Sequence, residues 1–320
     1  MDLELRHLRI VRAIAETGSV SKAATVLGLA QPALTAQLKR IERTLGGALF
    51  QRDHTGSRPT PLGELVLARA QVLLPAVRQL QEEAARLANG GGEPGRRYRI
   101  GAANGPILGG LVDRLAQAEP DAVITTSTSW STGELATKVM LGRLDYALIG
   151  VCGDTRAPGD EAVAWTLVAM DPVFVLVSAE HPLAGEREVE LGELAEEQWA
   201  VTPGDGCFGE CFAVAAAKAG FTPATIYETD VATCVHLVRV GRAVALCQGT
   251  FRLSEGLVAL PIAGTPLRWR QLLGWHPETP AGENAAQIVG HAKAAHLDAA
   301  RQSPAYSHWL DRNQGYGTVP

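Results

Sequence analysis

Several things this chain lacks narrow what it can be. No apolar run approaches the roughly 20 residues that span a bilayer, and the opening MDLELRHLRI is too charged for the apolar core of a secretory leader. The expectation is a cytoplasmic protein with no membrane partner. Five cysteines (Cys152, Cys207, Cys211, Cys234, Cys247) make an odd set that builds no complete disulfide framework; in a cytoplasmic chain they are reduced thiols by default. Catalytic signatures are missing too: GxGxxG, GxSxG and HExxH do not occur. His181, His236, His276, His291, His296 and His308 sit in unrelated contexts. The chain is therefore read as having no catalytic residues, no metal and no cofactor.

What is present is a globular composition, 46% hydrophobic and 20% charged over 320 residues, with room for two or three domains. The net charge of −5 is unevenly spread. Residues 1–89 hold 12 Lys and Arg against 8 Asp and Glu, a net +4, while the remainder holds 17 against 26, a net −9. A basic head on an acidic body suggests a nucleic-acid-binding module carried by a separate domain. The segment NGGGEPG (89–95) supports neither helix nor strand and marks the boundary. Before it the chain reads as helical. After it, short runs such as RYRIGAA, AVITTSTS, LDYALIG, PVFVLVS, ATIYETD and RAVALCQ alternate with helical stretches, the pattern of an α/β domain with largely parallel strands.

Within the head, Leu5, Leu8, Val11, Ile14 and Ala15 share one helical face. Ser19 or Ser21 can cap a second helix that ends at Gly28, and a third starts at Gln31 with Pro32 in its first turn. Leu34, Leu38, Ile41 and Leu45 give this third helix one buried stripe; Gln31, Thr35, Gln37, Lys39 and Arg40 occupy the other face. A polar, donor-rich outer face is what a recognition helix needs to reach base edges and phosphates in a major groove. A plain amphipathic hairpin is the competing reading.

The string AIAETGSVSKAATVLGLAQPALTAQLKRIERTLGGALF, followed by Thr60-Pro61 and Gly63, resembles the winged helix-turn-helix of LysR-type transcriptional regulators, over residues 3–64. Ala30 departs from the Ser that often caps the recognition helix in that family, and Ala36 stands where a basic residue is common. The resemblance implies that Gln31, Pro32, Ala33 and Thr35 approach base edges. It implies that Ser21, Lys22, Lys39, Arg40, Arg52 and Arg58 contact phosphates or the neighbouring minor groove.

Thr60 caps a long helix with Pro61 at its first position. Val66, Ala70, Leu73, Val77, Leu80, Ala84 and Leu87 follow at alternating spacings of four and three, the seam of a coiled coil. A helix lying on the body is the alternative. Pro75 removes one backbone hydrogen bond and predicts a kink near Gln71. The family resemblance likewise implies pairing through this helix, in a homodimer or homotetramer on dyad-symmetric operator DNA.

Residues 97–303 resemble the effector-binding domain of the same family, a two-lobed α/β fold like type 2 periplasmic binding proteins. The expected division is 1–59 for the winged helix-turn-helix, 60–89 for the linker helix and 90–96 for a Gly-rich hinge. Lobe I is expected at about 97–164 and 266–303, lobe II at about 165–265, and a tail at 304–320. The chain is read as crossing between lobes near Ala164–Ala169 and returning at Arg268–Trp275. In such sheets a small ligand sits beyond the carboxyl ends of strands. Candidate effector-binding residues are Asn104, Gly105, Pro106, Ser129, Trp130, Ser131, Thr202, Pro203, Gly204, Cys207, Thr233 and Gln248; several of them can equally be helix caps. Trp130 can stack on a flat ligand or simply be core.

In GDGCFGECF (204–212), Cys207 falls near a helix N-terminus, where a thiolate is stabilised. Peroxide-sensing members of the family carry a reactive cysteine in this region, but with a wider gap to the second one. Packing, thiol sensing and shared metal ligation with Cys211, Cys234 and His236 all remain open. The tail is read as an appendage: Tyr306, Trp309 and Leu310 form a helical turn against the body or a neighbouring subunit, and the chain is loose from Asn313. The sequence thus points to a DNA-binding regulator with a small-molecule effector and, by resemblance, RNA polymerase as a further partner. The alternatives are a thiol-redox regulator using Cys207, or an enzyme or solute-binding protein on the same two-lobed fold.

Overall fold

A computed structural model describes residues 3–53, 56–88, 96–103, 105, 107–159, 162–204, 208–223 and 226–319. The chain separates into two compact units, one holding the N-terminal 94 residues and the other the bulk of the rest.

The N-terminal unit contains α1 (Leu5–Thr17), α2 (Val20–Val26), α3 (Gln31–Leu45), β1 (Phe50–Asp53), β2 (Gly56–Pro59) and α4 (Pro61–Ala88). Of the two expected caps, Ser19 fills the role, its side chain accepting from the Lys22 amide. Gly28 turns the chain toward α3 with φ +65°, a left-handed conformation that suits glycine. Leu34, Leu38 and Ile41 are buried with Val11 and Ile14 of α1 and Ala23 and Ala24 of α2. β1 and β2 form an antiparallel wing, Phe50 opposite Pro59 and Arg52 opposite Ser57. Thr60 ties the wing to α4: its hydroxyl donates to the Ala48 carbonyl at 2.7 Å and accepts from the Gly63 amide at 3.1 Å.

Helix α4 is assigned as one continuous helix through Pro75. Its proposed seam is shorter than its spacing predicts. Val66 and Ala70 are buried in the head's own core with Leu74, because α4 packs along α1. Leu73 is 46% exposed and Leu80 is 65% exposed, Val77 is half-buried and Ala84 is exposed; the Leu87 side chain lies outside the description.

The C-terminal unit is built on one sheet in the order β4-β3-β5-β11-β6-β9-β7-β8. Its first half uses β3 (Arg97–Ala102), α5 (Ile107–Ala118), β4 (Val123–Thr128), α6 (Thr132–Met140) and β5 (Tyr146–Cys152). The second half uses β7 (Trp199–Val201), α7 (Phe208–Lys218), β8 (Ile226–Glu228), α8 (Val231–Arg239), β9 (Val244–Gln248) and β10 (Leu257–Pro261). β4, β3 and β5 are parallel, as are β8, β7 and β9. Two longer strands join these halves: β6 (Ala164–Ser178) and the returning β11 (Arg268–Trp275). β6 pairs with β11 over Ala164–Pro172, then with β9 from Val173 and β10 from Phe174. The passage between halves is therefore at Pro172–Val173, later than the Ala164–Ala169 crossing expected from sequence; the change of partners falls at the Asp171-Pro172 step inside the apolar run.

After α9 (Pro280–Glu283), α10 (Ala285–Arg301) packs on α5. The last residues follow the sequence reading in their helical turn against the body and depart from it after Asn313. α11 (Pro304–Leu310) buries Tyr306 and Trp309 completely or nearly so, and β12 (Gly317–Thr318) pairs with Met170 and Ala169 of β6. Gly317 and Thr318, in the segment expected to be loose, are thus part of the sheet. Aromatic side chains that bury large apolar areas account for the docking.

One glycine tests the head's packing. A Cβ on Gly63 would sit 2.1 Å from the Leu49 carbonyl oxygen, a backbone atom that cannot step aside. Gly63→Ala is expected to destabilise the head by about 1–3 kcal/mol, the usual cost of overpacking. Urea denaturation of the intact chain, followed by probes in the N-terminal unit, checks this; an unchanged midpoint refutes it.

Candidate functional site: an exposed helix face and the loops at the strand ends

The buried stripe of α3 fixes what its other face shows. Gln31, Pro32, Ala33, Ala36, Lys39 and Arg40 are exposed, and Thr35 is half-buried with its hydroxyl donating to the Gln31 carbonyl at 2.9 Å. Gln31, Pro32, Thr35, Ala36 and Lys39 line a shallow open depression in this face. Ala36, absent from the candidate set, belongs to it; its small side chain makes room there. No side chain caps the α3 N-terminus, whose N-cap is Ala30. Ser21 and Lys22 are exposed in the first turn of α2, and Arg58 is exposed on β2. The register places Arg52 on β1, while its side chain lies outside the described residues.

In the C-terminal unit the candidates fall into two groups, each at the carboxyl ends of parallel strands. Beside β3 and β4, Gly105 and Ser129–Ser131 sit in adjacent loops, joined where the Ser129 amide donates to Ala102 at 3.2 Å. Asn104 and Pro106 lie outside the described residues. Ser129 and Ser131 are first of all a helix cap: Ser129 Oγ bonds the Glu134 carboxylate, and Ser131 Oγ accepts from the Glu134 amide at 2.9 Å. Lys138, 2.6 Å from Glu134, and then Ser129 hold that carboxyl below the usual range. Trp130 between the two serines is 40% exposed, so it is not core.

Beside β7, β8 and β9 the second group holds Thr202, Pro203, Gly204, Thr233 and Gln248. Cys207 lies outside the described residues. Thr233 is held by the cap of α8, which is Asp230: its amide donates to Asp230 Oδ1 at 3.1 Å and its hydroxyl to Oδ2 at 2.8 Å. The Thr233 hydroxyl, with its backbone, keeps the Asp230 carboxyl below its ordinary range. Gln248 ends β9, and its side-chain oxygen accepts from Gln271 Nε2 at 2.6 Å. This bond links β9 of one half-sheet to β11. A second link joins the same regions: Trp269 of β11 meets Phe208 of α7 edge-on, ring centroids 5.2 Å apart. Trp269 also lies over Gly150, where a Cβ would come within 2.0 Å of the indole. Gln271, Trp269 and Phe208 escaped the sequence reading. The available signal was a glutamine, nearly fully buried here, inside the strand RWRQLLGW.

Most of the described cysteines are shielded. Cys152, Cys234 and Cys247 are buried and Cys211 is half-buried against the second half's core. Burial pushes the Cys234 thiol up and the Cys247 thiol up to about 12. Among the described residues no group of three His, Cys, Asp or Glu side chains can hold a metal ion, so Cys211, Cys234 and His236 form no such group. No described helix is long and apolar enough to cross a membrane. Because the thiolate is the reacting species, Cys211 should be alkylated by iodoacetamide at pH 8 well before Cys247 in the folded chain. Peptide mass spectrometry reads the order, and equal rates refute it.

Comparison with known proteins agrees with this geometry. Residues 5–64 match the bacterial regulatory helix-turn-helix protein model of the lysR family, and residues 91–296 match the LysR substrate binding domain. A small neutral protease regulatory protein of Streptomyces coelicolor is 38% identical over 309 residues, 96% of each chain. Full-length CbnR, a LysR-family regulator solved with its target DNA, superposes with a TM-score of 0.66 at 18% identity, covering 92% of this chain and all of that one. A full-length OxyR from Pseudomonas aeruginosa gives 0.61 at 22% identity, covering 92% and 95%, a likeness of fold alone. The basic helix-turn-helix head and the two-half α/β body are therefore those of a DNA-binding transcriptional regulator with an effector-binding domain rather than an enzyme, and the chain belongs to the LysR family.

Proposed function

We propose that the protein binds a dyad-symmetric operator as a homodimer or homotetramer in the cytoplasm, and that a small molecule held in the C-terminal unit controls transcription through RNA polymerase. The observation that carries the reading is the exposed face of α3, whose buried stripe leaves Gln31, Pro32, Ala33, Thr35 and Lys39 turned away from the core. Gln31, Pro32, Ala33 and Thr35 are assigned to base edges. Ser21, Lys22, Lys39, Arg40, Arg52 and Arg58 are assigned to phosphates or the minor groove. Pairing of two chains uses the part of the α4 seam not spent in the head, namely Leu73, Val77, Leu80 and Ala84, with Leu87 as its continuation. A coiled-coil pair places two heads about a two-fold axis, as a palindromic operator requires.

The effector is assigned to the loops at the strand ends, with Gly105, Trp130, Thr202, Pro203, Gly204 and Gln248 as contacts, joined by Asn104, Pro106, Ser129, Ser131, Cys207 and Thr233. The domain boundaries proposed are 1–59, 60–89, 90–96 and an effector unit from 97 that continues through 319. A ligand that binds one setting of the two half-sheets better shifts the population toward it, and only through that difference in affinity. The setting then alters the spacing of the heads on DNA. The name of the Streptomyces coelicolor relative supports a target beside a small neutral protease gene.

Selection of genomic fragments by the purified protein, followed by footprinting, tests the reading. The expected result is a dyad-symmetric protected site upstream of a protease gene; binding without symmetry overturns the dimeric operator, and bound sites remote from any protease gene overturn the target. Lys39→Ala should weaken binding to all sequences alike and reduce the slope of log K against log salt by about 1. Fluorescence anisotropy at several salt concentrations measures that slope, and an unchanged value removes Lys39 from the phosphate contacts.

A further inference from the structure

The tail SPAYSHWLDRNQGYGTVP (303–320) lies beyond the segment matched by the substrate-binding model, which stops at residue 296. In the fold it closes on β6 where that strand passes from one half-sheet to the other. Upstream of the passage, Gly317 pairs with Met170 and Thr318 with Ala169, and the Val319 amide donates to Val168 at 3.2 Å. Downstream of it, Tyr306 and Trp309 each meet Phe174 edge-on, centroids 6.1 Å apart.

Between these two grips sits Asp171, fully buried and one residue before the passage. Its Oδ1 accepts from the Tyr306 hydroxyl and lies 2.8 Å from His296 Nε2. The other ring nitrogen of His296 is 2.8 Å from Thr318 Oγ1. One carboxylate oxygen thereby joins β6 to α10 and α11, and through His296 to β12. The Tyr306 ring also fills the place a Gly249 Cβ would need, 2.7 Å away, so the chain leaving β9 rests on it.

A fastening of this kind is expensive if holding the tail is all it does. Asp171 Oδ2 is buried without a hydrogen-bond partner among the described residues. Burying a polar network that is only partly satisfied costs more than an apolar contact of the same shape, which would grip the tail as firmly. What the network adds is direction: it allows one setting of β6 against α10 and α11. A rotation of the half-sheets about Pro172–Val173 must draw Asp171 away from Tyr306 on one side or from His296 and Thr318 on the other.

We infer that residues 303–319 form a strap that locks the passage of β6, so that the seated strap holds one arrangement of the two half-sheets and its release permits another. The inference concerns the hinge alone and stands whether or not the strand-end loops bind an effector. Hydrogen exchange read by mass spectrometry on the full chain tests it, using Thr318→Val and Tyr306→Phe, which keep shape and remove hydroxyls. Both variants should exchange about tenfold faster at Val173, at 249–251 and at 267–271, while α5 and α7 keep their protection. Faster exchange confined to 168–170 and 317–319, the residues that touch β12 directly, would falsify the strap, as would unchanged rates in both. Loss of protection in α5 and α7 marks an unfolded variant, and the other variant then decides. Should both fail that control, a fastening needed for folding itself is the finding, and the regulatory strap is overturned.

Discussion

The C-terminal unit depends on one strand belonging to two half-sheets. β6 is fifteen residues long, and from Val173 to Ser178 every residue is buried. A strand covered on both faces reads as a continuous apolar run, which is why PVFVLVS lacks the alternation of a surface strand. Its one interruption, Asp171-Pro172, sits where the partners change. Pro172 has no N–H to give a ladder, and it stands opposite Arg268, the end residue of β11. The missing donor falls at the end of one pairing and just before the next. The same step carries the buried carboxylate that the C-terminal segment grips.

The head shows the opposite economy, in which a face can be used only once. The heptad spacing of α4 identifies seven apolar positions but does not say what each one meets. Val66 and Ala70 go to the core shared with α1, since the head is small and its short helices cannot enclose an interior without the first turns of α4. Leu73 and Leu80 are left exposed in the single chain. The helix thus serves as core at its start and offers an apolar surface further on, and the change is invisible to periodicity because both uses ask for the same residues.

That distinction runs through what the sequence revealed. The span of α1 was legible from its apolar periodicity, and the starts of α3 and α4 and the cap of α2, narrowed to Ser19 or Ser21, from caps and Pro at a first turn, which are local signals; the return strand Arg268–Trp275 was placed by the family resemblance. Strands β10 and β12 were not, being short and fixed by pairing with β6 rather than by their own composition. The looseness expected after Asn313 failed for the same reason, whereas the turn of Tyr306 and Trp309 packs on the body beside Phe174, one of its two expected placements. At the strand ends, residue types with two uses stayed ambiguous. Ser129 and Ser131 cap α6, Thr233 donates to the Asp230 cap of α8, and Gln248 bonds Gln271; only the fold decides which hydroxyl or amide is already engaged.

The cap of α6 also fixes the loop that carries Trp130. The Trp130 ring is 40% exposed. Here its backbone is fixed on both sides, since the Ser131 amide donates to Ser129 Oγ at 3.1 Å and Glu134 closes the same cap. Lys138 steadies Glu134 from the next turn of α6. The polar residues around Trp130 therefore spend their hydrogen bonds on holding the loop, and the indole is the side chain the loop presents. A loop held in this way has little backbone freedom left to lose when a contact forms on it, which is a condition that favours affinity.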